Sequence, residues 1–169
     1  MQTFMPHANI YASVKALDNK RLGKQRVEAM QTYNQITKGK GGYPYHPVNK
    51  MWIGYEDALA KYHNACINEW VNRGFVNNMS YIPTKKNRYI DMPSWLGYDK
   101  VHRSHRDNLL RKDYDYYSKL FPVNKGKDYY LNNDTPYFWP TSKERYEYNE
   151  SYLSERNRKI DTGLRISSS

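Results

Sequence analysis

Glu28 is a lone carboxylate set in a stripe of cations and amides. At about 100° per residue, Arg21, Lys24, Gln25, Gln31, Thr32 and Gln35 all fall within about 60° of it on a helical wheel. Leu22, Ala29, Met30, Tyr33 and Ile36 fall on the far side. A cationic stripe suits a polyanion, and a carboxylate inside it opposes that binding. General acid/base or electrostatic chemistry is a use that would keep it there. The same spacing also fits a solvated helix face on which Arg21 and Lys24 pair with Glu28. Among nucleophiles, no G-x-S-x-G motif is present, and Cys66 lies inside an apolar helical pattern. Amines remain: the lysines and the α-amine of Met1. An α-amine is a weaker base than a lysine and stays more neutral at physiological pH. An amine that attacks a sugar C1′ makes a Schiff base, and a nearby carboxylate can assist the proton transfers.

His102 and His105 stand three residues apart in a helical pattern, interleaved with Arg103 and Arg106. Cations beside a metal oppose its binding, so this group reads as phosphate contacts or capping hydrogen bonds and no metal is assigned. Gly41-Gly42, after Lys38 and Lys40, follows no strand and makes no phosphate-cradling loop. No cofactor is expected. The single cysteine excludes an intrachain disulfide and a cysteine-rich zinc site. Net charge is +10 and the sequence pI is about 9.5, which argues for an anionic partner, with nucleic acid ahead of a membrane surface. The expected DNA contacts are Lys20, Arg21, Lys24 and Gln25 on one helix, Lys50 on the next, and His102, Arg103, His105 and Arg106 on a third. Tyrosine, with 18 copies, packs by its ring while its hydroxyl stays hydrated, which lets a chain of mean hydropathy −1.03 build a core. Tyr and Trp also stack on unpaired bases.

The elements that must position these groups are helical. Residues 1–9 read as extended, because Pro6 lacks a donor and biases Met5 away from helix. A short helical turn is expected over residues 10–16. Asp18 is placed to cap a long helix over residues 19–37. Arg26 projects at about 160° from Glu28, among apolar residues, and needs a partner, for which Glu56 or Asp57 is expected. Residues 38–45, with G-K-G-G, form a loop. His46-Pro47 then opens a second helix, with Val48, Met51, Trp52, Tyr55, Leu59, Tyr62, Cys66 and Trp70 at helical spacing. Arg73-Gly74-Phe75 ends it. His63 is expected on its outer side, without a chemical role. Residues 76–98 are irregular and carry Lys85, Lys86 and Arg88 in a loop. A third helix begins near Asp99, with Val101, His102, Leu109 and Leu110 inward. Asp113 caps a short helix over 114–120, stopped by Pro122. Residues 128–140 are expected to wrap rather than form a long helix. Thr141 and Glu144 form a possible capping box for a last helix over 142–156. The chain thus reads as one all-α domain over 1–161 with a frayed tail at 162–169. It shows neither a basic leader nor an apolar span, so a soluble, cytoplasmic, monomeric protein is expected.

Several of these stretches resemble the phage endonuclease V type of pyrimidine-dimer DNA glycosylases. Leu22 followed by Glu28 is placed like the helix carrying that family's catalytic Glu. The helix from His46 through G-Y-E-D-A-L to N-R-G-F resembles its G-H-V…K-R-G-F helix, and the aromatic C-terminal half is similar in character only. The likeness is closer to a bacterial and phage branch grouped with that family. Its members begin M-Q-T-F, contain L-D-x-K-R-L-G-K-Q-R-V-E and H-P-x-x-x-M-W-x-G-Y-E, and continue through H-R-x-N-L-L-R-K-D to W-P. Here these are residues 1–4, 17–28, 46–56, 105–113 and 139–140, so the resemblance spans residues 1–140 and leaves 141–169 unmatched. It implies an all-α fold with the N-terminal segment threaded between helices, and Glu28 beside the α-amine. It also implies a metal-free reaction on duplex DNA: glycosyl-bond cleavage through an imine, then β-elimination at the abasic site. Two departures stand out. The family's amine belongs to a small Thr exposed by removal of Met, whereas residue 2 here is Gln, whose bulk protects the initiator Met and leaves the amine on Met1. The Arg before the family's Glu is Val27 here, with Arg21 or Lys24 as its replacement. Other readings are a non-catalytic phage DNA-binding protein on the same scaffold, with a host-takeover or anti-defence role, and a metal-independent nuclease or RNA-binding module.

Overall fold

The computed structural model describes residues 1–84, 89–132 and 136–146. Among these residues there are seven helices and no strand. They are α1 (Ile10–Ala16), α2 (Asn19–Lys38), α3 (Val48–Trp52), α4 (Glu56–Asn72), α5 (Asp99–Lys112), α6 (Tyr114–Tyr117) and α7 (Lys127–Asn132). No helix among the described residues is long and apolar enough to cross a membrane.

The pair α2 and α4 forms the spine, with α1 also against α4 and with α6 and α7 against α5. Apolar residues at helical spacing build the interface: Leu22 and Ala29 from α2, and Leu59, Tyr62 and Cys66 from α4, all buried. Gly23 lets the two helices close up. A Cβ there would stand 3.2 Å from the Trp70 ring, tighter than an ordinary contact. One turn later Arg26 lies over the Trp70 ring, 4.2 Å from its centroid, and Trp70 stacks on Phe75. Arg26 donates to Asn77 Oδ1 at 2.7 Å, not to Glu56 or Asp57. Its neighbours are an indole face and an amide from the loop after α4, which the wheel of α2 alone does not reveal.

The expected second helix is broken in two. Gly54 takes φ +86°, open to glycine and strained for other residues, and its N–H donates to Glu56 Oε1 at 3.0 Å. His46 caps α3 through Nδ1, which accepts from Val48 N–H at 3.1 Å. The end of α4 follows the expected pattern, with Gly74 at φ +89° and Phe75 N–H bonded back to Trp70 O. His63 is buried rather than outward, because the segment after α4 folds over it and Ser80 O meets its Nε2 at 3.0 Å.

Asp18 occupies the N-cap position of α2 but makes no side-chain cap bond. Its carboxylate accepts instead from the Tyr117 hydroxyl and pairs with Arg21 at 3.3 Å. Asp113 does cap α6, accepting from Tyr116 N–H. The start of the expected last helix, residues 142–146, is not helical. Ser142 N–H donates to Lys50 O at 2.8 Å and Ser94 Oγ to Glu144 O at 2.6 Å, so this stretch is tied to α3 and the 92–96 loop. The rest of that helix, the tail at 162–169 and the loop residues Lys85, Lys86 and Arg88 lie outside the described residues.

Candidate active site

Residues 1–5 cross the polar face of α2 and reach α5, the chain bends at residues 6–9, and side chains meet the backbone groups of this segment one after another. Gln2 N–H donates to Glu28 Oε2 at 3.2 Å. Gln2 O accepts from Gln25 Nε2 at 2.9 Å. Phe4 N–H donates to Gln25 Oε1 at 2.8 Å, and Phe4 O accepts from the Tyr62 hydroxyl at 2.8 Å. Met5 lies between two imidazoles. Its N–H donates to His105 Nδ1 and its carbonyl meets His102 Nδ1, both at 2.8 Å. Pro6 O accepts from Arg106 at 2.8 Å, and Ser13 Oγ accepts from His7 N–H and sits 3.0 Å from His7 O. The Thr3 hydroxyl accepts from Trp52 Nε1.

These bonds set the two histidine tautomers. Gly97 N–H donates to His102 Nε2, so His102 carries its proton on Nδ1 and gives it to Met5 O. His105 accepts at Nδ1 and so is protonated at Nε2. Burial pushes His102 down to about 4 and His105 down to about 3, which keeps both neutral near pH 7. The reading of His102 and His105 as phosphate contacts is therefore corrected. Both are buried against the N-terminal segment and offer no surface to a polyanion. Arg106 is likewise spent on Pro6 O and Asp99, whereas Arg103 is exposed and pairs with Asp99.

The polar stripe of α2 is also less open than a solvated face. Gln25 and Thr32 are buried, Gln25 under the N-terminal segment. Glu28 Oε2 accepts from Gln25 Nε2 at 3.1 Å as well as from Gln2 N–H. Glu28 thus faces a fixed backbone, with no ion pair to Arg21 or Lys24 among the described contacts.

Beside Glu28 opens a cleft of about 380 Å³, within the range of small-ligand sites. Met1, Lys20, Arg21, Lys24, Gln25 and Glu28 come together in its wall. Lys50 is exposed on α3 and is not among the lining residues. Lys112 from α5 and Tyr137 from the segment after α7 complete the wall and were not expected from the sequence. Their signal there is faint: a lysine at a helix end and one tyrosine among many. Burial lowers Lys112, and Arg21, Arg111 and Lys24 lower it further, against Glu28. Burial pushes Tyr137 up to about 12, with Glu28 adding to the rise, so its phenol stays neutral. His46 was expected only to open the second helix. Burial lowers it, and the charges of the Met1 amine and Glu28 bias it in opposite directions. It packs edge-on to Trp139, which leans on Tyr137.

The arrangement places an amine, a carboxylate and several cations around one opening. Among the described residues no group of three or more His, Cys, Asp or Glu is placed to hold a metal ion. Cys66 is buried in the core, where burial pushes its thiol up, away from the reactive thiolate. Comparison with curated proteins and with solved structures finds no match to the chain. Residues 1–83, which hold the threaded N-terminal segment, α2 and Glu28, match the model of the pyrimidine dimer DNA glycosylase family.

Proposed function

We propose that the protein is a DNA glycosylase that also cleaves the abasic site it makes, with the Met1 α-amine as nucleophile and Glu28 as the acid/base group. The observation that carries this reading is the hydrogen bond from Gln2 N–H to Glu28 Oε2 at 3.2 Å. It holds the amine one peptide unit from the carboxylate. The amine nitrogen bonds to C1′ of the target nucleotide, and the base departs with the glycosidic electron pair. The C1′–O4′ bond then opens, O4′ takes a proton and the amine loses one, leaving a C1′=N imine. Removal of a C2′ proton breaks the C3′–O bond and releases the downstream strand at its 5′-phosphate. Water hydrolyses the imine and returns the amine. Glu28 relays the protons of these steps.

The cleft admits a nucleotide extruded from a duplex, which is cheapest where pairing is already weak. Lys20, Arg21, Lys24 and Lys112 hold the flanking phosphates. The reaction needs no cofactor, and the protein acts as a monomer in the cytoplasm.

Borohydride trapping on a duplex with an abasic site, followed by peptide mapping, tests this. The expected adduct is at Met1, and it is lost when a glycine is added before Met1 or when the amine is acetylated. An adduct on Lys20, Lys24 or Lys112 keeps the imine chemistry but discards the Met1 amine. Binding without an adduct favours the non-catalytic DNA-binding protein.

A further inference from the structure

Gln2 is bound in all directions but one. Its N–H reaches Glu28, its carbonyl accepts from Gln25, and its side-chain Oε1 accepts from Thr3 N–H at 2.8 Å. Its Nε2 is buried and has no hydrogen-bond partner. Flipping the amide does not help, because it would set the NH₂ group against Thr3 N–H, donor against donor. The residue is 3% exposed and forms part of the cleft wall. Native folds rarely leave a buried amide donor pair without an acceptor, and such a group calls for a use.

We infer that Gln2 Nε2 is a donor to the departing base, hydrogen-bonding the carbonyl oxygen adjacent to the glycosidic nitrogen of a pyrimidine. The inference rests on the amine-imine reading above. When the amine of residue 1 reaches C1′, the side chain of residue 2 lies beside the other substituents of that carbon. In a pyrimidine, O2 is the base acceptor closest to C1′. As the glycosidic bond breaks, its electron pair moves onto the ring and negative charge grows on O2. A fixed N–H aimed there stabilises the leaving base more than the intact nucleotide. A sugar that has already lost its base makes no such demand.

That difference supplies the test. Gln2→Glu keeps an oxygen for Thr3 N–H and removes the donors. Gln2→Met removes both without adding charge. Both keep a large residue 2, so Met1 is retained. Each variant and the unaltered protein are assayed on a duplex carrying a cyclobutane pyrimidine dimer, for base release, and on a duplex carrying an abasic site, for borohydride trapping. We expect base release to fall on the order of 100-fold in both variants, with trapping at the abasic site changed less than about threefold, within the effect of a weak contact. Equal loss in both assays would make Gln2 a strap for the N-terminal segment and overturn the inference. So would no loss in either, or no base release by the unaltered protein on the dimer duplex. If the unaltered protein gives no adduct at the abasic site, the amine-imine reading fails first and takes this one with it.

Discussion

Gln25 and Glu28 lie one helical turn apart on α2 and grip the same stretch of extended backbone. Their roles differ. Gln25 donates to Gln2 O and to Glu28, and accepts from Phe4 N–H and the Tyr62 hydroxyl; all but the bond to Glu28 are buried. Gln25→Leu would leave several of these groups unpaired, and about 1–3 kcal/mol is lost for each buried group so orphaned. We expect a fall of about 2–4 kcal/mol in urea denaturation, and loss of the trapped adduct although Gln25 itself does no chemistry. Glu28→Gln is gentler on the fold, since its amide oxygen still accepts from Gln2 N–H. There we expect near-normal stability and a trapping rate about 10²–10⁴-fold lower, the usual worth of a positioned acid/base group. An unchanged rate would remove Glu28 from the chemistry.

The N-terminal segment is an element without secondary structure, and its stability is borrowed from α2, α4 and α5. The hold from α5 depends on His102 and His105 remaining neutral, since a protonated His105 cannot accept from Met5 N–H. Both imidazoles are lowered from 6.5 by burial, to about 4 and about 3. The unfolded chain therefore binds more protons than the folded one between these values and 6.5. Stability is full above about pH 6.5 and declines as pH falls towards 4 and then 3, by up to about 1.4 kcal/mol per pH unit for each fully titrating histidine. Urea midpoints measured from pH 7 down to pH 4 should fall steadily. His105→Gln, with an oxygen able to accept from Met5 N–H and no proton to gain, should flatten that fall while lowering stability at pH 7.

At the scale of the whole molecule, the net charge of +10 includes a group of cations where α2 and α5 line the cleft. Arg21, Lys24, Arg111 and Lys112 lie close enough that the others depress Lys112, a repulsion that a phosphate would relieve. Lys24→Ala and Lys112→Ala should each reduce the slope of log K against log salt for duplex binding by roughly one. Lys50→Ala, on an exposed part of α3 outside the cleft lining, should change it less. Fluorescence anisotropy across a salt series decides this. A slope indifferent to Lys24 and Lys112 would place the DNA on another face.

What could be read from the sequence was local. Helical spacing placed α2 almost to the residue, Gly74 and Phe75 marked the end of α4, Asp113 marked α6, and the mixed stripe drew attention to Glu28. These signals work because a helix repeats within a few residues of itself. Even there, a single glycine in the left-handed region split the second helix, since an apolar rhythm can continue across a turn. The site itself was decided by contacts between residues far apart in the chain. Met5 meets His102 and His105, and Asp18 meets Tyr117, across roughly a hundred residues. Helical spacing set His102 inward, but no wheel shows that a neighbouring stretch of backbone will cover Gln25, or that His102 and His105 will both close on Met5. Tertiary structure turned those histidines from surface contacts into clamps and brought Lys112 and Tyr137 to the cleft. It did so because buried backbone groups must be paired, and the partners within reach come from wherever the chain returns.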